Sequence, residues 1–138
     1  MTFLLFIGVL QFLSLSVLER DCEEKLKELN DTLQSRIPEL VSIGAPFIQK
    51  MSQGKAHLVV LLEDCPAANS DDTIRQHYYE MYVGESHETH NVRWYHFYIH
   101  KNLKEILIYD PAEDSYSRLE DVRQSESWKR DWKSRERK

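Results

Sequence analysis

The sequence predicts an α+β fold, with N-terminal helices packed on a four-stranded antiparallel sheet, and three observations carry that reading. Apolar residues recur at helical spacing between residues 19 and 51. They then give way to β-branched and aromatic runs from residue 56 to residue 109, and the last three of those runs are separated only by short gaps. At 138 residues, with 41% hydrophobic and 30% charged residues, the chain suits one compact domain and not a disordered or polytopic membrane protein.

Residues 1–18 read as a signal or an apolar N-terminal helix. The run from Thr2 to Leu18 is almost wholly apolar and ends abruptly at Glu19-Arg20-Asp21. At about 1.5 Å per helical residue it falls short of a ~30 Å hydrocarbon core, so no stable membrane span is expected. Ser14 and Ser16 offer a small-x-small cleavage site. The chain is therefore expected to be periplasmic or secreted if the segment is a signal, and cytoplasmic otherwise. Cys22 and Cys65 are an even pair that permits a disulfide in an oxidising compartment, and two unlinked thiols are the alternative. No CxxC, CxxH or HExxH spacing occurs, so neither a metal site nor a cofactor is expected.

Residues 19–122 read as the single α+β domain. Leu26, Leu29 and Leu33, interleaved with charged residues, predict an amphipathic helix over 19–36. Pro38 suits a helical first position, and Ile37, Leu40, Val41, Ile43, Phe47, Ile48 and Met51 predict a second helical face, broken near Gly44-Ala45-Pro46. Ala56–Leu62 is the first expected strand, and the polar stretch Glu63–Asp72 is expected to be a loop. His77–Val83, His90–His100 and Glu105–Tyr109 complete the meander. Strict alternation along an unbulged third strand would put Trp94, His96 and Tyr98 on one face and Arg93, Tyr95, Phe97 and Ile99 on the other. Both faces are then partly apolar, and a curved sheet, a dimer contact or a covering tail would bury the second.

Residues 123–138 read as a basic, solvated C-terminal helical tail with seven basic residues against three acidic ones, although the chain as a whole carries a net charge of −5. That overall balance argues against nucleic acid as a partner.

The string Tyr78-Tyr79-x-x-Tyr82-Val83-Gly84-Glu85 is followed by Thr89-His90-x-x-Arg93-Trp94-x-x-Phe97-x-Ile99. Then come Lys104-Glu105-Ile106-x-Ile108-Tyr109-Asp110 and Asp114-x-Tyr116-x-x-Leu119. Together they resemble small bacterial proteins of the cystatin-like, or nuclear-transport-factor-2-like, fold over about residues 56 to 123. Where those proteins often close with a Trp-Arg pair, this chain has Val122-Arg123, and Trp128 stands a little further on. The resemblance implies a bent sheet, a cone, wrapped around the N-terminal helix. It also implies the company of immunity proteins against secreted toxins, small periplasmic proteins and some enzymes.

A fold of this kind does not name a function, so the site has to be argued from side chains. No reactive constellation stands out, and a non-enzymatic binding protein is expected, most concretely an immunity-type inhibitor of a protein partner such as a basic toxin. In an up-and-down meander, the loop at 84–89 and the loop at 111–117 emerge at the same end, which would gather Glu85, Glu88, Glu113 and Asp114 into an acidic partner-binding rim. The alternative is a small-ligand binder or isomerase-like enzyme that uses a cone interior lined by Tyr79, His96 and Tyr98, with Asp110 as a further acid/base group.

Overall fold

A computed structural model describes residues 22–138, and the expected signal at residues 1–18 lies outside them. The described elements follow the order helices, strands, helices. They are α1 (Leu26–Arg36), a π-helical turn (Leu40–Gly44), α2 (Ala45–Ser52), β1 (His57–Asp64), α3 (Thr73–His77), β2 (Tyr78–Ser86), β3 (Asn91–His100), β4 (Ile106–Asp110), β5 (Ser115–Arg118), α4 (Leu119–Arg123) and α5 (Glu126–Glu136).

The helices form where local chemistry allows. In α1, Leu29 and Leu33 are buried, whereas Leu26, expected on the same stripe, is exposed. The break anticipated near Gly44 is the π-turn. The Ala45 N–H donates to the Leu40 carbonyl five residues back, and Pro46, which has no N–H, cannot carry an α-helical ladder through. Gln53 and Gly54, at φ 56° and 80°, stop α2 in the left-handed region. The expected loop Glu63–Asp72 is followed by a short helix that takes in His77, expected as the first residue of the next strand. There Asp72 caps α3 by accepting from the Ile74 and Arg75 N–H groups at 2.8 and 3.4 Å.

The sheet is antiparallel in the order β1-β2-β3-β4-β5. Five strands stand where four were expected, because Ser115–Arg118, too short and polar to read as a strand, folds back on β4 through the turn at 111–114. In that turn the Asp110 carboxylate accepts from the Ala112 N–H at 2.9 Å, an arrangement that favours chain reversal.

One face of the sheet is sealed. Met81, Val83, Phe97, Ile99 and Ile106 meet Leu29, Leu33, Ile37 and Leu40 in a single core that also takes in Leu119, Trp128 and Trp132. The C-terminal segment 123–138 is thus part of the domain: Trp128 and Trp132 retain only 5% and 4% of their surface. Ser125 caps α5 by accepting from the Trp128 N–H at 3.3 Å. Arg135 then closes over the aromatic cluster, its guanidinium 4.1 Å from the Trp94 ring centre and 3.0 Å from the Tyr95 hydroxyl.

The alternation expected of β3 is broken by a bulge. Val83 opposes Tyr95 and Gly84 opposes Arg93, which leaves Trp94 as the extra residue. Both Trp94 and Tyr95 therefore turn to the helical side, where each meets Trp132 at 6.1 Å between ring centres. Trp94 shares the face of Phe97, contrary to the expectation of opposite faces, and Arg93 passes to the other side. Gly84 makes the bulge possible, because a Cβ there would strike the Val92 carbonyl oxygen.

Cys22 and Cys65 are joined, with Cα atoms 6.0 Å apart, and the bond ties the lead into α1 to the end of β1.

Candidate functional site

Among the described residues, no helix covers the other face of the sheet. Register alone fixes who shares it: Glu80 pairs with Tyr98 and Tyr82 with His96, Tyr98 pairs with Leu107, and Tyr109 pairs with Tyr116. Arg93 joins them across the bulge, its guanidinium 3.8 Å above the Tyr82 ring centre and bonded to Glu63 at 2.8 Å. His96 lies at the middle of the array. Its ring stacks on Tyr82 at 4.1 Å, stands 4.7 Å from Tyr98 and meets Tyr109 edge-on at 5.3 Å. A recess of about 350 Å³ opens beside it, lined by Tyr82, Arg93, His96, Tyr109 and Pro111 among others.

Electrostatics decide what this array offers. His96 Nε2 lies 3.0 Å from Glu80 Oε1, and a neutral imidazole that donates there keeps Nδ1 as an acceptor. Burial lowers the His96 pKa, against the opposing pull of the Glu80 carboxylate. The phenols move the other way. Burial, reinforced by Glu80, pushes Tyr98 and Tyr82 up. The hydrogen bond to Asp114 at 2.6 Å leads in raising Tyr109 to about 12. At neutral pH the face therefore presents protonated hydroxyls and a neutral imidazole, all of them hydrogen-bonding groups.

The residues expected to line one interior are divided between the faces. Tyr79 packs against the core on the helical side, while His96 and Tyr98 lie on the uncovered side. Asp110 ends β4, and its carboxylate holds the Ala112 N–H of the turn that follows. Of the expected rim, Glu85 accepts from the Trp94 indole at 2.7 Å and lies 3.2 Å from His87 Nε2, and Asp114 accepts from the Tyr109 hydroxyl. Glu88 and Glu113 are exposed on the two connections that the meander places at the same end of the sheet. Sequence reasoning missed Glu80, Tyr82, Arg93, Tyr109 and Tyr116. Pairing β2 with β3 on the spacing of their tyrosines would have found the first two. Arg93 could not be placed without the bulge.

Among the described residues, no three His, Cys, Asp or Glu side chains stand close enough to hold a metal ion, and no helix is long and apolar enough to cross a membrane. His87 and His90 stack in parallel at 4.7 Å without a third partner of that kind. Compared with known proteins, the chain matches no family model, no curated protein and no solved structure.

Proposed function

We propose that this chain is a non-enzymatic binding protein of the immunity type, an inhibitor that holds a basic protein partner against the uncovered face of its sheet. The observation that carries the reading is the make-up of that face: Tyr82, Tyr109 and Tyr116 with Arg93 and His96, set around a buried Tyr98. Tyrosine supplies large contact area, few rotamers to freeze and a polar tip, arginine supplies a planar donor array, and both are enriched among the residues that dominate protein interfaces. Protonated phenols suit binding better than catalysis. Charge supports a basic partner, because the basic residues gather in 123–138 and leave the rest of the chain acidic, with Glu88 and Glu113 exposed at one end of the sheet. The cystatin-like resemblance and its bent sheet fit the same reading. The link between Cys22 and Cys65 supports an exported protein, since such bonds persist in oxidising compartments.

One observation favours a second reading, a small-ligand or isomerase-like site: His96, paired with Glu80, borders a recess large enough for a small molecule.

Co-expression with the product of the neighbouring gene tests the proposal, with complex formation read by size-exclusion chromatography and association followed by stopped flow. Tyr82→Ala with Arg93→Ala is expected to weaken the complex about 100-fold, and Glu88→Lys with Glu113→Lys to slow association chiefly at low salt. Glu88 and Glu113 are the informative acids, because Glu85 and Asp114 hold contacts within the fold. If both variants stay folded and associate like the parent chain, the binding-face reading is wrong. A small molecule whose binding is lost in His96→Gln would establish the second reading in its place.

A further inference from the structure

The two edges of the sheet differ. At one edge β5 has four residues, Ser115–Arg118, and is polar and mostly exposed, the form in which edge strands resist unwanted pairing. At the other edge β1 has eight residues and holds five consecutive apolar side chains, Leu58-Val59-Val60-Leu61-Leu62, none of them fully buried. Its register with β2 is unbroken from His57 to Leu62, and its ionisable residues stand at the ends, His57 at one and Glu63 and Asp64 at the other. Among the described residues, no backbone group bonds to its outer side. A long apolar edge with no lysine or proline in it offers a row of unpaired N–H and C=O groups to another strand.

The side chains decide which strand fits. Leu58, Val60 and Leu62 pack on the core side, whereas His57, Val59, Leu61 and Glu63 alternate to the uncovered side, where Glu63 bonds to Arg93. Opposed residues of an antiparallel pair point to the same side, so a two-fold pairing of β1 with itself must match odd-numbered residues with odd and even with even. Centred on Val60, such a pairing sets Leu58 against the partner's Leu62, Val59 against the partner's Leu61 and Val60 against its own copy. It also places His57 beside the partner's Glu63 at both ends. Centred on Leu61, it would oppose Val59 to the partner's Glu63 and Leu58 to the partner's Asp64, and centred on Val59 it would oppose His57 to the partner's Leu61.

We propose that β1 pairs with β1 of a second copy of this chain, antiparallel and centred on Val60, so that two five-stranded sheets become one of ten strands. Main-chain hydrogen bonds supply the attachment, apolar side chains are buried between the copies, and the two His57–Glu63 contacts select the register. Both uncovered faces then lie on the same side of the joined sheet.

Sedimentation equilibrium of the full chain measures the association, and amide hydrogen exchange along β1 locates it. In a free edge strand alternate N–H groups face water, whereas in the dimer every β1 amide is protected, and dilution to monomer should release the alternate set. Val59→Lys with Leu61→Lys, both on the side away from the core, should weaken the dimer at least about 100-fold, with circular dichroism and thermal melting to check that the fold survives. His57 is exposed, so His57→Glu probes the register with little cost to the fold: it should weaken the dimer about tenfold, and His57→Lys should not. A chain that is monomeric at about 100 μM with its alternate β1 amides open overturns the proposal. So does protection of every β1 amide in a monomer, which would mean that another segment of the same chain covers the edge. A dimer whose alternate β1 amides stay open, or one that ignores a folded double-lysine variant, puts the contact elsewhere and overturns it too. Equal dimerisation of His57→Glu and His57→Lys would show that the pairing is not centred on Val60.

Discussion

On the helix-covered face of the sheet, Met81, Val83, Phe97, Ile99 and Ile106 have no measurable exposure, whereas the opposite face presents Tyr82, His96, Tyr109 and Tyr116, with Tyr116 at 41%. Both sets alternate along the same strands. The covered face is filled with residues that gain only by leaving water. On the uncovered face Tyr98 and Leu107 are buried as well, and around them stand residues with an apolar body and a polar tip, which tolerate half-burial. Its polar tips are used: Tyr78 donates to Glu105 at 2.8 Å, Tyr109 to Asp114, and His96 meets Glu80. A face built this way has surface to give to a partner.

The comparison breaks most decisively at Trp132. Trp132→Ala should destabilise the chain by about 3–5 kcal/mol in urea denaturation, as loss of a buried aromatic leaves a cavity among Trp94, Tyr95 and Trp128, while Tyr116→Ala should stay within about 1 kcal/mol. Equal losses would mean that the uncovered face carries as much of the fold as the covered one.

Next in size is the link between the two layers. Cys65→Ser with Cys22→Ser opens a loop closed over a sequence separation of 43, and should lower stability by about 2–4 kcal/mol. The loss should appear as a shift in the denaturation midpoint between oxidised parent and double variant. No shift would show that the core alone holds α1 on the sheet.

The smallest effect is a pH dependence confined to the uncovered face. The folded state lowers the His96 pKa below its ordinary 6.5, so the unfolded chain binds the proton more readily. The stability that the neutral imidazole contributes is present above about pH 6.5 and is lost as pH falls below it. Thermal melting from pH 8 to pH 5 should show a shallower acid loss in His96→Gln than in the parent. Identical profiles would move the acid sensitivity to other groups.

Much of the architecture was legible because its signals are local. The stripe of Leu29 and Leu33, the punctuation at Gly44-Ala45-Pro46 and the β-branched and aromatic runs each act within a few residues, and they fix element type and order. The pairing of Cys22 with Cys65 stayed open, because a sequence states that two thiols exist and not how far apart their Cα atoms come. The site was legible only in part. His96 and Tyr98 could be singled out by type, but their company could not, since neighbours on a face belong to other strands.

What the sequence determined by itself is therefore the succession of the N-terminal helices and the first four strands, and the abundance of aromatics between residues 78 and 116. The tertiary structure decided which face each aromatic serves. Side chains in a strand have a period of two, so a single inserted residue reverses every assignment beyond it, and the bulge at Trp94 does this to Trp94 and Arg93. It also decided the fate of residues 123–138, whose charges read as solvated in isolation. Trp128 and Trp132 become buried only because Leu40, Gly44 and Tyr95, distant in sequence, provide an apolar surface for them. Burial is a property of what lies opposite, and only the folded chain sets that.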